Sequence, residues 1–452
     1  MKQYLSNAVV INEGALFPAG IFIVDDRIAA VCRHDSPEGR QREKECIAQS
    51  DSVTDLQGRY LAPGVIDAHV HFREPGATHK ACIATESAAA ALGGVTSFMD
   101  MPNNNPPAIS GEALENKAEI AARDSVVNYS FYIGATAGNL HEVLSCDFSK
   151  VCGVKVFMGS STGSLLLEDS PALERLFAEC PALIAVHCED NAIISACLKE
   201  VRARYGDDIP FSAHADIRPA EACVKATGRA VALAEKYGSR LHVLHVSTAP
   251  EVAMLARAKA LSAGISAETC VQYLFFDSSA YESLGPLVKC NPAVKSHADM
   301  LALRRAVRSG ILDNISTDHA PHLLEEKRMP YMQSPSGIPL IQYSLPMMLD
   351  LAARGAFSLP LVVERMAHAP ARLYGVVDRG YIREGYYADM VVFETGRPHA
   401  VRQAASRCGW APVTKLRGSV VHTISNGRFV VRDGCLTGEK AALPLQFSQR
   451  VF

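Results

Sequence analysis

The sequence predicts an α/β fold: a (β/α)₈ barrel with a small β-sandwich domain built from both termini. Three observations predict it. Between residues 61 and 379, short apolar runs alternate with helical segments. Residues 1–60 and 380–452 are short β runs without a long helical period, and each piece is short for a core of its own. The reactive polar residues fall where the apolar runs of the middle segment end, and in such barrels chemistry gathers at the C-terminal strand ends.

Taken in order, residues 1–60 hold apolar runs at Ala8–Ile11 and Gly20–Val24, broken by turn residues at Asn12–Gly14 and Asp25–Asp26. Eight barrel strands are then expected around Val65–His69, Val95–Met101, Val126–Ile133, Val154–Phe157, Leu183–His187, Leu241–Val246, Ile265–Thr269 and Asn314–Thr317. Helices are expected over Ala81–Leu92, which ends at Gly93-Gly94, and over Gly111–Ala122 behind Ser110. Ser170-Pro171 opens another over Pro171–Glu179. Ala220–Lys236, Ala298–Ser309, Leu345–Ala353 and Leu359–Ala367 complete the set. Beyond Gly380 the chain returns to short β runs, with a turn at Asn426-Gly427. The expected division is a terminal domain, 1–60 plus 380–452, and a catalytic barrel, 61–379.

Composition narrows the function classes. Hydrophobic residues make up 48%, ample for a large core, and the net charge of −3 leaves no basic footprint for nucleic acid. No apolar run reaches membrane-spanning length, and the N-terminus is too polar for a signal peptide. Thirteen cysteines, an odd number without a Cys-x-x-Cys pair, point to buried free thiols in a reducing cytoplasm.

The most informative stretch is Val65-Ile66-Asp67-Ala68-His69-Val70-His71-Phe72-Arg73. On a strand, residues i and i+2 share a face, so His69 and His71 project together. Two neutral imidazoles side by side suit one metal ion, and Arg73 is a planar fork suited to a carboxylate. Met101-Pro102-Asn103 ends strand two, Lys155 lies on strand four, and His187, His245 and Asp318 end strands five, six and eight. Scattered core histidines would have no reason to keep that phase. His242 lies three residues from His245 and faces away; His319 reads as structural.

These residues resemble the cyclic amidohydrolases, and among them the dihydroorotases, over nearly the whole chain. The resemblance is carried by residues 63–76 and 315–322, supported by Asp100–Asn103, His245–Thr248 and Lys289–Pro292. It implies a metal-bearing barrel flanked by a β-sandwich from both termini. It implies two divalent metal ions, zinc first and manganese or cobalt as alternatives: His69, His71 and Asp318 on one, His187 and His245 on the other. Lys155 would bridge them once carboxylated, because an ammonium has no lone pair for a cation and a carbamate has two anionic oxygens. The alternative for Lys155 is a buried salt bridge. Arg73, Asn103 and His322 would grip the substrate carboxylate, and Asn291 would touch the ring. Without the resemblance, Asn103 would hold its turn, His322 would pair with an acid such as Glu325, and Asn291 would cap Pro292.

Asp318 would serve as base and then acid in the interconversion of dihydroorotate and N-carbamoyl-L-aspartate, a step in pyrimidine synthesis. No nucleic-acid or membrane partner is expected, and a homodimer is the assembly the resemblance suggests. Asn104 and Asn105 depart from the family, which often has a threonine after the Asn103 position. Leu323–Pro335 reads as a polar loop over the site, with Gly337-Ile338-Pro339 behind it offering backbone groups. Rival readings are a hydantoinase or allantoinase, which do not grip a carboxylate, and an inactive scaffold, which would typically have lost metal ligands.

Overall fold

The computed structural model describes residues 1–159, 165–168 and 170–448. Its centre is an eight-stranded parallel sheet whose strands follow one another in sequence order. They are Val65–Val70, Val95–Asp100, Asn128–Gly134, Gly153–Met158, Ile184–Cys188, Leu241–Val243, Ile265–Cys270 and Asn314–Ser316. Every residue of these strands is buried, as expected where helices cover a parallel sheet. The eighth strand returns to the first. Val70 bridges His319 in parallel, and the His71 amide donates to the His319 carbonyl at 2.8 Å. The Thr317 hydroxyl donates to Asp67 Oδ2 at 2.6 Å across the same seam. The sheet is thereby a barrel, and its eight strands fall where the apolar runs place them.

The surrounding helices start and stop on local chemistry. Ser110 and Ser170 each accept the amide three residues on, and Pro171 occupies the first turn of Pro171–Glu179. Ala220–Tyr237 and His297–Ser309 stop at Gly238 and Gly310, both left-handed. The expected helix over Leu359–Ala367 is Leu359–Val363 followed by a π-helical turn, Glu364–His368. Two further helices, Asn191–Tyr205 and Ala249–Leu261, fill barrel connections.

The chain ends build a second sheet of nine strands. Met390–Ala400 pairs with Tyr60–Pro63, joining the C-terminal strands to the N-terminal ones. One face gathers Leu5, Val10, Ile21, Ile23, Leu61, Met390, Val392 and Ile424 into a core separate from the barrel's. One expectation for residues 1–60 is corrected here. Pro37–Gln49 is a 13-residue helix capped by Ser36, in a region where only β structure was expected. It buries only Cys46, so it carries no apolar stripe for a periodicity to reveal.

All thirteen cysteines are free thiols, nine of them buried. Among the described residues no helix is long and apolar enough to cross a membrane.

Candidate active site

One cavity of about 110 Å³ opens at the C-terminal end of the barrel, lined in part by His69, His71, Lys155, His187, His245 and Asp318. Arg73, Asn103, Asn291, Ser336 and Gly337 form its outer wall. Nine of the ten residues singled out from the sequence therefore share one space; the tenth, His322, stands behind Arg73 with a ring nitrogen 3.1 Å from the Arg73 Nη2.

The first and eighth strands bring three donors together. Asp318 Oδ1 lies 3.3 Å from His69 Nε2 and 3.0 Å from His71 Nε2. The opposite nitrogen of each ring is held by an oxygen: Glu268 Oε1 at 2.6 Å from His69 Nδ1, and Asn103 Oδ1 at 2.6 Å from His71 Nδ1. With the proton on Nδ1, each ring in its neutral form presents its Nε2 lone pair toward Asp318. At His69 burial opposes charge, but Asp318 and Glu268 outweigh it and lift the ring to about 9. The two carboxylates thus favour positive charge at this point. Burial drives His71 down to about 4, keeping it neutral.

The fifth and sixth strands supply a second pair. His187 Nδ1 and His245 Nε2 converge at 2.8 Å. His187 Nε2 faces Glu189 Oε2 at 3.1 Å, and that oxygen also accepts from Arg218 Nη1 at 2.5 Å. Burial holds both imidazoles below their ordinary value, so they are neutral ligands-in-waiting at pH 7.

Lys155 lines the same cavity as both groups. Among the described residues its Nζ has no hydrogen bond and no carboxylate within ion-pair distance; it sits 4.6 Å from the Phe157 ring centre. The salt-bridge alternative thus finds no partner among the described residues. Burial pushes this amine down to about 8, against the pull of Asp318 and Glu268. Two histidine pairs, a carboxylate and an amine of low basicity without a partner among the described residues form a donor set that fits two divalent cations and a carboxylated lysine.

The backbone is bent to make this mouth. Arg73, His245 and Asp318 all have positive φ, 65°, 40° and 48°, a region that side-chain-bearing residues rarely adopt. Each costs on the order of 1–3 kcal/mol, held in place by the surrounding packing.

The local alternatives for the outer residues fare differently. Asn103 uses its carbonyl oxygen on His71 rather than on its own turn. His322 does not pair with Glu325; the nearest acid is Glu326, 3.9 Å away, and Lys80 Nζ is closer at 3.2 Å. Asn291 Oδ1 is buried without a hydrogen-bond partner among the described residues. His242 does not line the cavity; its Nδ1 faces Ser266 Oγ at 2.9 Å. His319 is held by Glu86 at 2.8 Å and accepts the Leu340 amide, a structural tie. Sequence reasoning missed Glu268 and Glu189. A charged residue inside an apolar strand run signals Glu268, and the i+2 rule applied to His187 points to Glu189.

The sequence matches the amidohydrolase family over residues 60–430. A dihydroorotase of Methanothermobacter thermautotrophicus is 33% identical over 404 residues, 87% of this chain and 89% of that protein. An allantoinase of Streptomyces avermitilis is 32% identical over 450 residues, 97% of each. Among solved structures, the L-hydantoinase (dihydropyrimidinase) of Arthrobacter aurescens superposes with a TM-score of 0.91 at 26% identity, spanning 98% of this chain and 99% of that one. The family match runs through every barrel strand that feeds the cavity, and on that ground the chain belongs to the amidohydrolase family as a metal-dependent cyclic amidohydrolase.

Proposed function

We propose that this enzyme catalyses the reversible hydrolysis of (S)-dihydroorotate to N-carbamoyl-L-aspartate, a step of de novo pyrimidine synthesis. The observation that carries the reading is Arg73. Its guanidinium lines the cavity, yet its polar contacts among the described residues are the Pro321 carbonyl, 3.3 Å away, and His322. Among the described residues no carboxylate pairs with it. Burial lowers its pKa, so the site bears the cost of a half-buried cation that an incoming anion offsets. A ring bearing a carboxylate supplies that anion; the hydantoin and allantoin rings do not.

In this reading His69, His71 and Asp318 would hold one divalent cation and His187 and His245 the second, with carboxylated Lys155 as a shared ligand and zinc the first choice. The bound ions supply Lewis acidity toward water and the ring carbonyl. The side chains do the rest. Arg73, with the Asn103 amide and His322, holds the carboxylate and so fixes the ring. Asn291 Oδ1, lacking a partner, accepts a ring N–H. Asp318, held well below the ordinary carboxylate range by His69 and His71 against the effect of burial, is ionised and can take a proton from the attacking water. The water oxygen bonds to the ring carbonyl carbon, and the carbon–nitrogen bond breaks. Asp318 returns the proton to the departing nitrogen.

The metal-loaded protein should be assayed on dihydroorotate, hydantoin and allantoin side by side. We expect kcat/KM for dihydroorotate to lead by at least about tenfold; a lead for either uncharged ring would overturn the assignment. The Streptomyces avermitilis allantoinase, as similar in sequence, makes allantoin the rival to include.

A further inference from the structure

Two lysines stand close to the cavity with no acid to answer them. Lys327 is fully buried, and Lys289 is 6% exposed. Among the described residues neither has a carboxylate within ion-pair distance. Every hydrogen bond they donate goes to backbone carbonyls. Lys327 Nζ donates to Lys289 O at 3.0 Å, Pro335 O at 2.9 Å and Gly337 O at 3.0 Å, using all three of its protons. Lys289 Nζ donates to Tyr331 O and Ser334 O, both at 2.6 Å, and lies 4.1 Å from the Tyr331 ring centre. Burial pushes Lys327 down to about 7 and Lys289 to about 8.

A buried ammonium is a costly way to satisfy carbonyls that a turn or a water could satisfy. What these two hold is specific. The captured carbonyls all belong to 331–337 or to Lys289 itself. Within that segment Ser336 and Gly337 form one wall of the cavity, and Asn291, two residues after Lys289, forms the neighbouring wall. The Gly337 amide donates back to Lys289 O at 2.9 Å, so one carbonyl receives both the segment's backbone and the Lys327 ammonium. The fit is tight. At Gly337, φ is +148°, and an added Cβ would meet Ala320 O at 2.3 Å and His322 Cδ2 at 2.9 Å. A small shift of this wall would therefore reach His322 and, through it, Arg73.

We propose that Lys327, with Lys289 behind it, is a positioning residue for substrate: its ammonium ties the Ser336–Gly337 wall to the 289–291 segment that carries Asn291, setting the width of the pocket that receives the ring and its carboxylate. The inference takes its substrate from the dihydroorotase reading; the tie itself can be read without it.

The test is Lys327→Met and Lys289→Met in the full-length, metal-loaded enzyme. Methionine keeps much of the volume and removes the donors. With whichever cyclic amide the wild type hydrolyses best, KM should rise about tenfold or more with kcat within about threefold and metal content unchanged. Amide hydrogen exchange within 328–337 should quicken at least about tenfold, while the barrel strands keep their protection. A purely structural role would instead lower thermal stability and kcat together and leave KM alone. Unchanged KM and unchanged exchange in either folded variant would overturn the proposal. If Lys327→Met does not fold, Lys289→Met carries the test. Failure of the wild type to open dihydroorotate would defeat the substrate assignment alone, since the exchange result stands apart from it.

Discussion

Glu268 Oε1 lies 2.6 Å from the Nδ1 of His69, a residue 199 positions away on the facing strand. Its other oxygen accepts from Ser316 Oγ at 2.6 Å and Asn314 Nδ2 at 3.2 Å. This carboxylate therefore sets the tautomer of His69 and aims its Nε2 at Asp318. In Glu268→Gln, the amide cannot serve three donors with one oxygen. Metal affinity should fall about 10- to 100-fold, read by competition with a chelator. Circular dichroism should stay unchanged. Full retention of metal would mean that Glu268 does not orient the ligand.

Asp318 has two duties in the proposed reaction, and one substitution can separate them. Asp318→Asn keeps the shape and one oxygen donor but cannot accept a proton. Turnover should drop by at least about 100-fold, the range general base catalysis supplies. Dihydroorotate binding, measured by calorimetry on metal-loaded protein, should change by less than about threefold, because in the proposed reading Arg73 and not Asp318 meets the carboxylate. Substantial residual turnover with metal bound would remove Asp318 from the proton path.

The strands and the inner site were legible for the same reason. Parallel strands buried on both faces must read as apolar runs, and the histidines at their ends interrupt those runs visibly. Helix Pro37–Gln49 was not legible, because a helix that buries only Cys46 has no apolar stripe. Nor was the supporting layer. Glu268 and Asp67 answer partners on other strands, and one strand's sequence holds no sign of its neighbour's register; Glu189 differs, since it meets His187 only two residues away. Trp410 is the clearest case: the only tryptophan in the chain reaches from the terminal sheet's 401–414 connection to donate to the His322 carbonyl at 2.8 Å. Nothing local to either residue announces that contact.

Carboxylation of Lys155 needs a neutral amine, carbon dioxide and a countercharge for the anion formed. Burial has brought the amine to about 8, so a useful fraction is neutral at pH 7 to 8. Enzyme equilibrated with ¹³C-bicarbonate and metal should show one slow-exchanging carbamate resonance, absent from Lys155→Met. The same variant should fold and lose most of its bound metal. Retention of both metals by Lys155→Met would show that the ions are held without the bridge.

In the proposed reading the choice of substrate turns on Arg73. In Arg73→Met the aliphatic part of the wall remains and the charge-assisted contacts to a carboxylate are lost. Such contacts contribute about 1.5–3 kcal/mol, so KM for dihydroorotate should rise roughly 10- to 150-fold. The substitution also removes an unpaired cation from a half-buried wall, so thermal stability should hold or increase slightly. Any slow turnover of hydantoin, which offers no carboxylate, should be unaffected or improved. Equal losses on both rings would mean that Arg73 holds the loop that follows His71 rather than the substrate, and that the carboxylate is recognised elsewhere.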